Sequence, residues 1–329
     1  MKNITIIGNG GWATALSLHL HRQGYGVRLW GPFPEIISRI QTSHENQLYL
    51  PGIPLPPELA WTSDPDHAAA EADLIVLAIP SKFCRSVFAN FCGRFPEGCP
   101  LLSVGKGLDT ETGRRLTELA AEFFPGHPLA ALSGPNLADE VARQMPSAAV
   151  IAGPDLLAQQ LQKVFMGPRF RIYTSNDIIG VELGGALKNV IALAVGASDG
   201  LGFGDNTRAA LITRGLAEMT RLGCALDAQR TTFAGLSGMG DLIVTCTSRL
   251  SRNRTVGERL GKGETIKQIT DSMAQVAEGV TTCATARRLG QEHRVRTPII
   301  DEVHAVINGQ TTPADAVRSL LERDARPEL

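Results

Sequence analysis

Through the first half of the chain, apolar residues fall in short continuous runs separated by stretches of helical periodicity. Ile4-Thr5-Ile6-Ile7 and Leu74-Ile75-Val76-Leu77 are apolar toward both sides, which suits central strands of a parallel sheet covered on both faces. The pattern predicts strands over residues 2–7, 27–30, 73–78, 101–104, 129–132, 148–152 and 170–173. Helices are predicted over 12–23, 34–43, 81–91, 112–124, 137–144 and 154–165, with a loop over 46–57 that holds four prolines. Strands alternating with helices argue a doubly wound α/β sheet. Beyond residue 177 the periodicity is helical, over 178–197, 207–222, 227–234, 253–261, 266–271, 279–291, 298–308 and 313–322. The expectation is an α/β protein with two domains, 1–177 around the sheet and 178–329 all-α.

The first predicted strand runs into Gly8-Asn9-Gly10-Gly11-Trp12-Ala13, which opens the first helix. This is G-x-G-x-x-A, a tolerated form of the dinucleotide fingerprint, and it marks the sheet as a Rossmann-type cofactor domain. Gly8 permits the tight turn and Gly10 lets the backbone approach a pyrophosphate. Ala13 is small enough for helix-on-strand packing, and the free N–H groups of the helix start face the phosphates. The second strand ends Leu29-Trp30-Gly31-Pro32 with no acid for a ribose 2′-hydroxyl; Glu35 lies a little beyond, and Arg39 is a remote candidate for a 2′-phosphate. NAD and NADP both remain as cofactors.

Charged residues inside the apolar helical half are the candidates for chemistry. Lys188 lies in Leu183-Gly184-Gly185-Ala186-Leu187-Lys188-Asn189, a segment apolar on nearly every face. A buried lysine is costly unless paired or functional, and burial lowers its pKa into a range suited to proton transfer. The structural alternative is a lysine that snorkels to water. Asp241 follows Gly238-Met239-Gly240, where it either orients Lys188 or caps a helix. Ser251-Arg252-Asn253-Arg254 opens another helix and is either an anion site or a solvated basic turn. Lys106 follows the strand at 101–104, at the carboxyl edge of the sheet where open α/β folds bind ligands.

Bulk composition narrows the partners. The 329 residues carry a net charge of −1, which gives no broad case for nucleic acid or for a membrane surface. The six cysteines form no C-x-x-C pair and the seven histidines no pair at metal spacing, so free thiols and no metal are expected. The apolar run at the start is too short for a secretion-signal core, and the most apolar helix carries Glu182 and Lys188. A cytoplasmic protein without membrane insertion is expected, and a homodimer is the default assembly.

Taken together, Gly8–Leu16, Lys106-Gly107-Leu108, Ser133-Gly134-Pro135, Leu183–Asn189, Gly215–Met219, Gly240-Asp241-Leu242, Ser251–Arg254 and Val276–Gly279 closely resemble the bacterial NAD(P)-dependent glycerol-3-phosphate dehydrogenases. The resemblance runs to about residue 321. It implies interconversion of sn-glycerol 3-phosphate and dihydroxyacetone phosphate, with Lys188 as proton donor and acceptor. It implies that Lys106, Gly134, Asn136, Lys188, Asp241, Ser251, Arg252 and Asn253 bind a small phosphorylated substrate. It implies that Gly8, Gly10, Gly11, Trp12, Lys106, Ala138, Arg252, Val276 and Glu278 line the cofactor. Gly11 replaces a common Ser of the family, and Asn136 replaces a Thr or Ser usual in its bacterial members. Two rival readings are a related reductase of another small anionic carbonyl compound and a non-catalytic dinucleotide sensor.

Overall fold

The computed structural model describes residues 1–273, 277–325 and 327. One sheet is built from β1 (Asn3–Ile7), β2 (Gly26–Trp30), β3 (Ala60–Thr62), β4 (Leu74–Leu77), β5 (Leu101–Ser103), β6 (Leu129–Ser133), β7 (Ser147–Ala152) and β8 (Phe170–Ser175). Helices α1 (Gly11–Arg22), α2 (Pro34–Ser43), α3 (Pro65–Ala69), α4 (Cys84–Phe91), α5 (Leu116–Phe123), α6 (Ala138–Ala142) and α7 (Asp155–Phe165) are interleaved with the strands. The second half contains α8 (Ile178–Gly200), α9 (Asp205–Ala225), α10 (Arg230–Phe233), α11 (Asp241–Thr247), α12 (Arg252–Gly261), α13 (Ile266–Asp271), α14 (Glu278–Glu292), α15 (Pro298–Ile307) and α16 (Pro313–Leu321).

The strand order is β3-β2-β1-β4-β5-β6-β7-β8. Alternation along the central strands divides the apolar side chains between two cores. Ile4, Ile6, Leu74 and Val76 pack with α1 on one face, while Ile7, Ile75 and Leu77 pack with Phe88 and Leu119 on the other. Each strand residue is therefore buried whichever way it points, which is why the runs lack a polar face. β1 pairs in parallel with β2 and β4, and β4, β5 and β6 continue in parallel, so their carboxyl ends share one edge.

Three features depart from the sequence expectation. β3 and α3 fill a stretch with no predicted element; α3 is held by Asp64, whose carboxylate accepts the Asp66 N–H at 2.9 Å. β7 runs antiparallel to β6, with Leu132 opposite Ile151, so the sheet is mixed rather than wholly parallel. The run at 236–240 forms a single π turn that leads into α11, a helix the periodicity did not reveal.

The helical half is organised around α8, which is long and apolar enough to cross a membrane, yet 83% of its most apolar window is buried inside the fold. Asp177 caps it, accepting the Gly180 N–H at 2.9 Å, and also accepts the Gln229 N–H at 2.9 Å. α12 crosses α8 at backbone contact through glycines spaced four apart on both helices. A Cβ on Gly196 would lie 2.0 Å from the Arg254 carbonyl oxygen, and one on Gly257 would lie 2.1 Å from that of Leu193. This crossing fixes the start of α12, with Ser251 to Asn253, relative to Lys188 on α8.

Candidate active site

The fingerprint turn joins the carboxyl ends of β1, β2 and β4. Gly8 has φ +130°, and a Cβ there would lie 2.3 Å from the Ala78 carbonyl oxygen, so only glycine fits. Its N–H donates to the Trp30 carbonyl at 2.9 Å. Gly10 caps α1 without a side-chain hydrogen bond, and a Cβ on it would meet nothing within 4 Å. The opening N–H groups of α1 are thus left without a side-chain cap, and Gly10 beside them borders open space, the arrangement that accepts a pyrophosphate. Gly11 begins the helix, and its missing Cβ would lie 2.6 Å from the Tyr49 carbonyl oxygen. A glycine at this position therefore matches a close approach of the 46–50 loop. A Cβ on Gly11 would also lie 3.8 Å from Ala138 Cβ at the head of α6, and the half-buried Trp12 has its indole Nε1 buried without a partner.

Farther along the same edge, two lysines share one carboxylate. Lys106 Nζ, on the loop after β5, donates to the Gly134 carbonyl at 2.8 Å and to Asp241 Oδ2 at 2.7 Å. Lys188 Nζ, from α8, lies 2.8 Å from Asp241 Oδ1 and donates to Thr245 Oγ1 at 2.5 Å. Thr245 in turn donates to Asp241 Oδ1 at 3.3 Å. The Lys188 side chain is 7% exposed and that of Asp241 1% exposed. Lys188 is therefore not a snorkelling lysine, and Asp241 is not a simple cap: it begins α11 with its carboxylate between two ammonium groups. Burial lowers the Lys188 pKa to about 8; the Asp241 charge opposes this and the Lys106 charge adds to it. Each ammonium has three donors, two of which are engaged here. One donor per lysine is left for an oxygen placed between them.

The close approach of these elements follows from Gly184. A Cβ there would lie 2.6 Å from the Ser237 carbonyl oxygen, so a larger residue would push away the π turn that carries Asp241. A buried asparagine relay ties the remaining parts together. Asn189 Nδ2 donates to the Lys106 carbonyl at 3.0 Å, and Asn253 Nδ2 donates to Asn189 Oδ1 at 2.9 Å. Asn253 Oδ1 accepts the Gly279 N–H at 2.9 Å, at the start of α14.

Ser251 caps α12, accepting the Arg254 N–H at 3.3 Å. The two arginines of this motif differ. Arg254 is committed to Asp199 at 3.3 Å and Glu258 at 3.0 Å, and Arg252 stands beside the helix start, where its charge acts on Glu278. Glu278 accepts the Ser81 N–H at 3.0 Å and the Ser81 Oγ–H at 2.5 Å, linking α14 to the loop after β4. Burial raises the Glu278 pKa, against the Ser81 hydrogen bonds and the Arg252 charge. Gly134 has φ +141°, and Asn136 Nδ2 donates to the Ala148 carbonyl at 3.0 Å while its Oδ1 is buried without a partner. Val276 lies outside the described residues. Among the described residues, no three His, Cys, Asp or Glu converge as a metal site.

Sequence reasoning did not single out Thr245, Asn189 or Ser81. Thr245 could have been found, since it lies one helical turn beyond Asp241 and so shares its face. Asn189 is adjacent to Lys188, but its relay depends on α12 and on the β5 loop. Nothing local marks Ser81.

Known proteins resemble this chain over its whole length. Residues 3–158 match the family model for the N-terminus of NAD-dependent glycerol-3-phosphate dehydrogenase, and residues 177–318 match that for its C-terminus. Glycerol-3-phosphate dehydrogenase [NAD(P)+] of Moorella thermoacetica is 46% identical over 329 residues, covering 100% of this chain and 98% of that protein. A second protein of that name, from Sphingopyxis alaskensis, is 46% identical over 326 residues, covering 99% and 98%. The crystal structure of glycerol-3-phosphate dehydrogenase from Coxiella burnetii superposes with a TM-score of 0.95 at 37% identity, covering 98% of this chain and 99% of that one. The chain belongs to the NAD-dependent glycerol-3-phosphate dehydrogenase family.

Proposed function

We propose that this protein reduces dihydroxyacetone phosphate to sn-glycerol 3-phosphate, and catalyses the reverse, supplying glycerol 3-phosphate for phospholipid synthesis. The observation that carries the reading is the buried Lys188, paired with Asp241 and brought to a pKa of about 8 by its surroundings. NAD or NADP is the cofactor, and the residues fit it: an uncapped helix start, an open space at Gly10, and buried unpartnered nitrogens on Asn9 and Trp12. Gly8, Gly10, Gly11, Trp12, Lys106, Ala138, Arg252, Val276 and Glu278 are proposed to line the dinucleotide. The bound dinucleotide supplies the hydride for reduction and accepts it in oxidation.

The chain's own residues do the rest. Lys188 as ammonium donates a hydrogen bond to the substrate oxygen, stabilises the charge that gathers there, and delivers a proton as the carbonyl becomes an alcohol. In the oxidative direction neutral Lys188 takes the hydroxyl proton. Asp241 holds Lys188 and Lys106 at one point, and Thr245 orients the Lys188 amine. Arg252, Ser251, Asn253 and the start of α12 take the substrate phosphate, with Gly134 and Asn136 closing the other side. The proposed domain boundary falls at Asp177, between the end of β8 and the start of α8. The proposal includes a homodimer, the commonest closed symmetry. It also includes a cytoplasmic location without membrane insertion, the latter supported by the burial of α8 within the fold.

A substrate panel tests the reading. Dihydroxyacetone phosphate should drive NADH or NADPH oxidation with kcat/KM at least about a hundredfold above unphosphorylated dihydroxyacetone, because the phosphate anchor supplies binding energy. Equal use of the two compounds, or faster reduction of a carboxylate-bearing ketone, would favour a related reductase with a different substrate.

A further inference from the structure

The standard fingerprint places an acidic residue at the end of the second strand, where it holds the adenosine ribose. Here that position is Gly31, and the space a side chain would enter is taken by neighbouring side chains. A Cβ on Gly31 would lie 2.8 Å from Ile37 Cδ1 and 2.9 Å from Asn9 Cγ. The polar group that occupies this space is the carboxamide of Asn9. Its backbone is fixed from two sides: the Gly8 N–H is bound to the Trp30 carbonyl at 2.9 Å, and Asn46 Nδ2 donates to the Asn9 carbonyl at 2.8 Å. The Asn9 side chain is thereby set against the end of β2. It is 9% exposed, and its Nδ2 is buried with no hydrogen-bond partner. A buried donor left unsatisfied costs roughly 1–3 kcal/mol, a cost relieved by a ligand oxygen that accepts from it.

We infer that Asn9 reads the adenosine ribose of the cofactor, donating its Nδ2–H to the 2′-hydroxyl in place of the usual acid, and that the site favours NAD over NADP. The inference rests on the dinucleotide-binding reading above and extends it to one residue and one hydroxyl. The charge pattern points the same way. Residues 31–38 contain no Lys, Arg or His, Glu35 lies in the first turn of α2, and Arg39, the next cation along the chain, lies a turn farther along α2 and is exposed. A 2′-phosphate, with close to two negative charges, is ordinarily met by an arginine; here it meets a neutral amide and a carboxylate on the adjacent helix.

Isothermal titration of the full chain with NAD⁺, NADP⁺ and the NAD⁺ analogue that lacks the adenosine 2′-hydroxyl tests this without turnover. Wild type should bind NAD⁺ about three- to tenfold more tightly than the analogue, the range of one neutral hydrogen bond, and more tightly than NADP⁺. Asn9→Ala should lose that same factor for NAD⁺ and leave the analogue unchanged. Asn9→Asp should keep NAD⁺ and weaken NADP⁺ by a further tenfold or so, through repulsion. The inference is overturned if Asn9→Ala weakens NAD⁺ and the analogue equally, or if wild type binds NADP⁺ as tightly as NAD⁺. Should either variant fail to fold in a melting scan, the three-ligand comparison on wild type still decides. Failure of wild type to bind any of the three would overturn the dinucleotide reading itself, and this inference with it.

Discussion

Replacing Lys188 by methionine should inactivate the enzyme and stabilise the fold. The amine is almost fully buried, and its pKa falls from 10.5 to about 8. A depressed lysine pKa means that the unfolded chain holds the proton more tightly than the folded one. The cost of the buried charge is fully present below about pH 8, shrinks as pH rises through the window from 8 to 10.5, and is gone above it. The shift corresponds to about 3 kcal/mol. Methionine has similar length, carries no charge, and leaves Asp241 paired with Lys106 at 2.7 Å. It loses the hydrogen bond to Thr245, worth about 1 kcal/mol. The variant should therefore be more stable than wild type by about 2 kcal/mol at neutral pH, a rise of a few degrees in melting temperature. Thermal melts at pH 7 and near pH 10, with dihydroxyacetone phosphate turnover measured alongside, give the comparison. The reasoning is refuted if the variant melts below wild type at pH 7, or if the difference is the same at both pH values.

Other consequences follow from the same geometry. Reduction of dihydroxyacetone phosphate needs the Lys188 ammonium, so its kcat/KM should fall as pH rises through about 8, while oxidation of glycerol 3-phosphate should rise through the same pH; profiles of both directions should cross there. Arg252→Ala should raise the KM for dihydroxyacetone phosphate at least about tenfold. Arg254→Ala should lower the melting temperature and leave that KM nearly unchanged, since Arg254 is engaged with Asp199 and Glu258, and steady-state kinetics beside melting curves separate the two effects. Gly257→Ala would drive a methyl group to 2.1 Å from the Leu193 carbonyl oxygen and separate α12 from α8. A loss of about 3 kcal/mol or more in denaturant unfolding is expected, against under 1 for Ala in an open helix position.

Much of this fold is legible in the chain because its central strands are buried on both faces. Runs such as Leu74–Leu77 admit few other readings, and the fingerprint after β1 orders the rest. β3 is three residues long at the sheet edge, too short to leave a periodic signal. The reversal of β7 is invisible because an apolar run reads the same in either direction. α11 is seven residues long and begins as a π turn ends, so no helical period accumulates. At the site, Lys188 and Asp241 are conspicuous because charge is expensive among apolar neighbours. Asn189 and Ser81 are ordinary polar residues whose roles arise only where α8, α12, α14 and the loop after β4 meet. The glycine pairs 196/200 and 257/261 carried a readable four-residue spacing, but which helices they join is a tertiary fact.

Single-turnover reduction of dihydroxyacetone phosphate by Lys188→Ala, with enzyme saturated in cofactor, tests the central claim most directly. The account predicts that the rate of NADH consumption falls by about 10² to 10⁴-fold, with the NADH dissociation constant unchanged. A rate near that of wild type would contradict it and remove the Lys188 amine from the proton transfer.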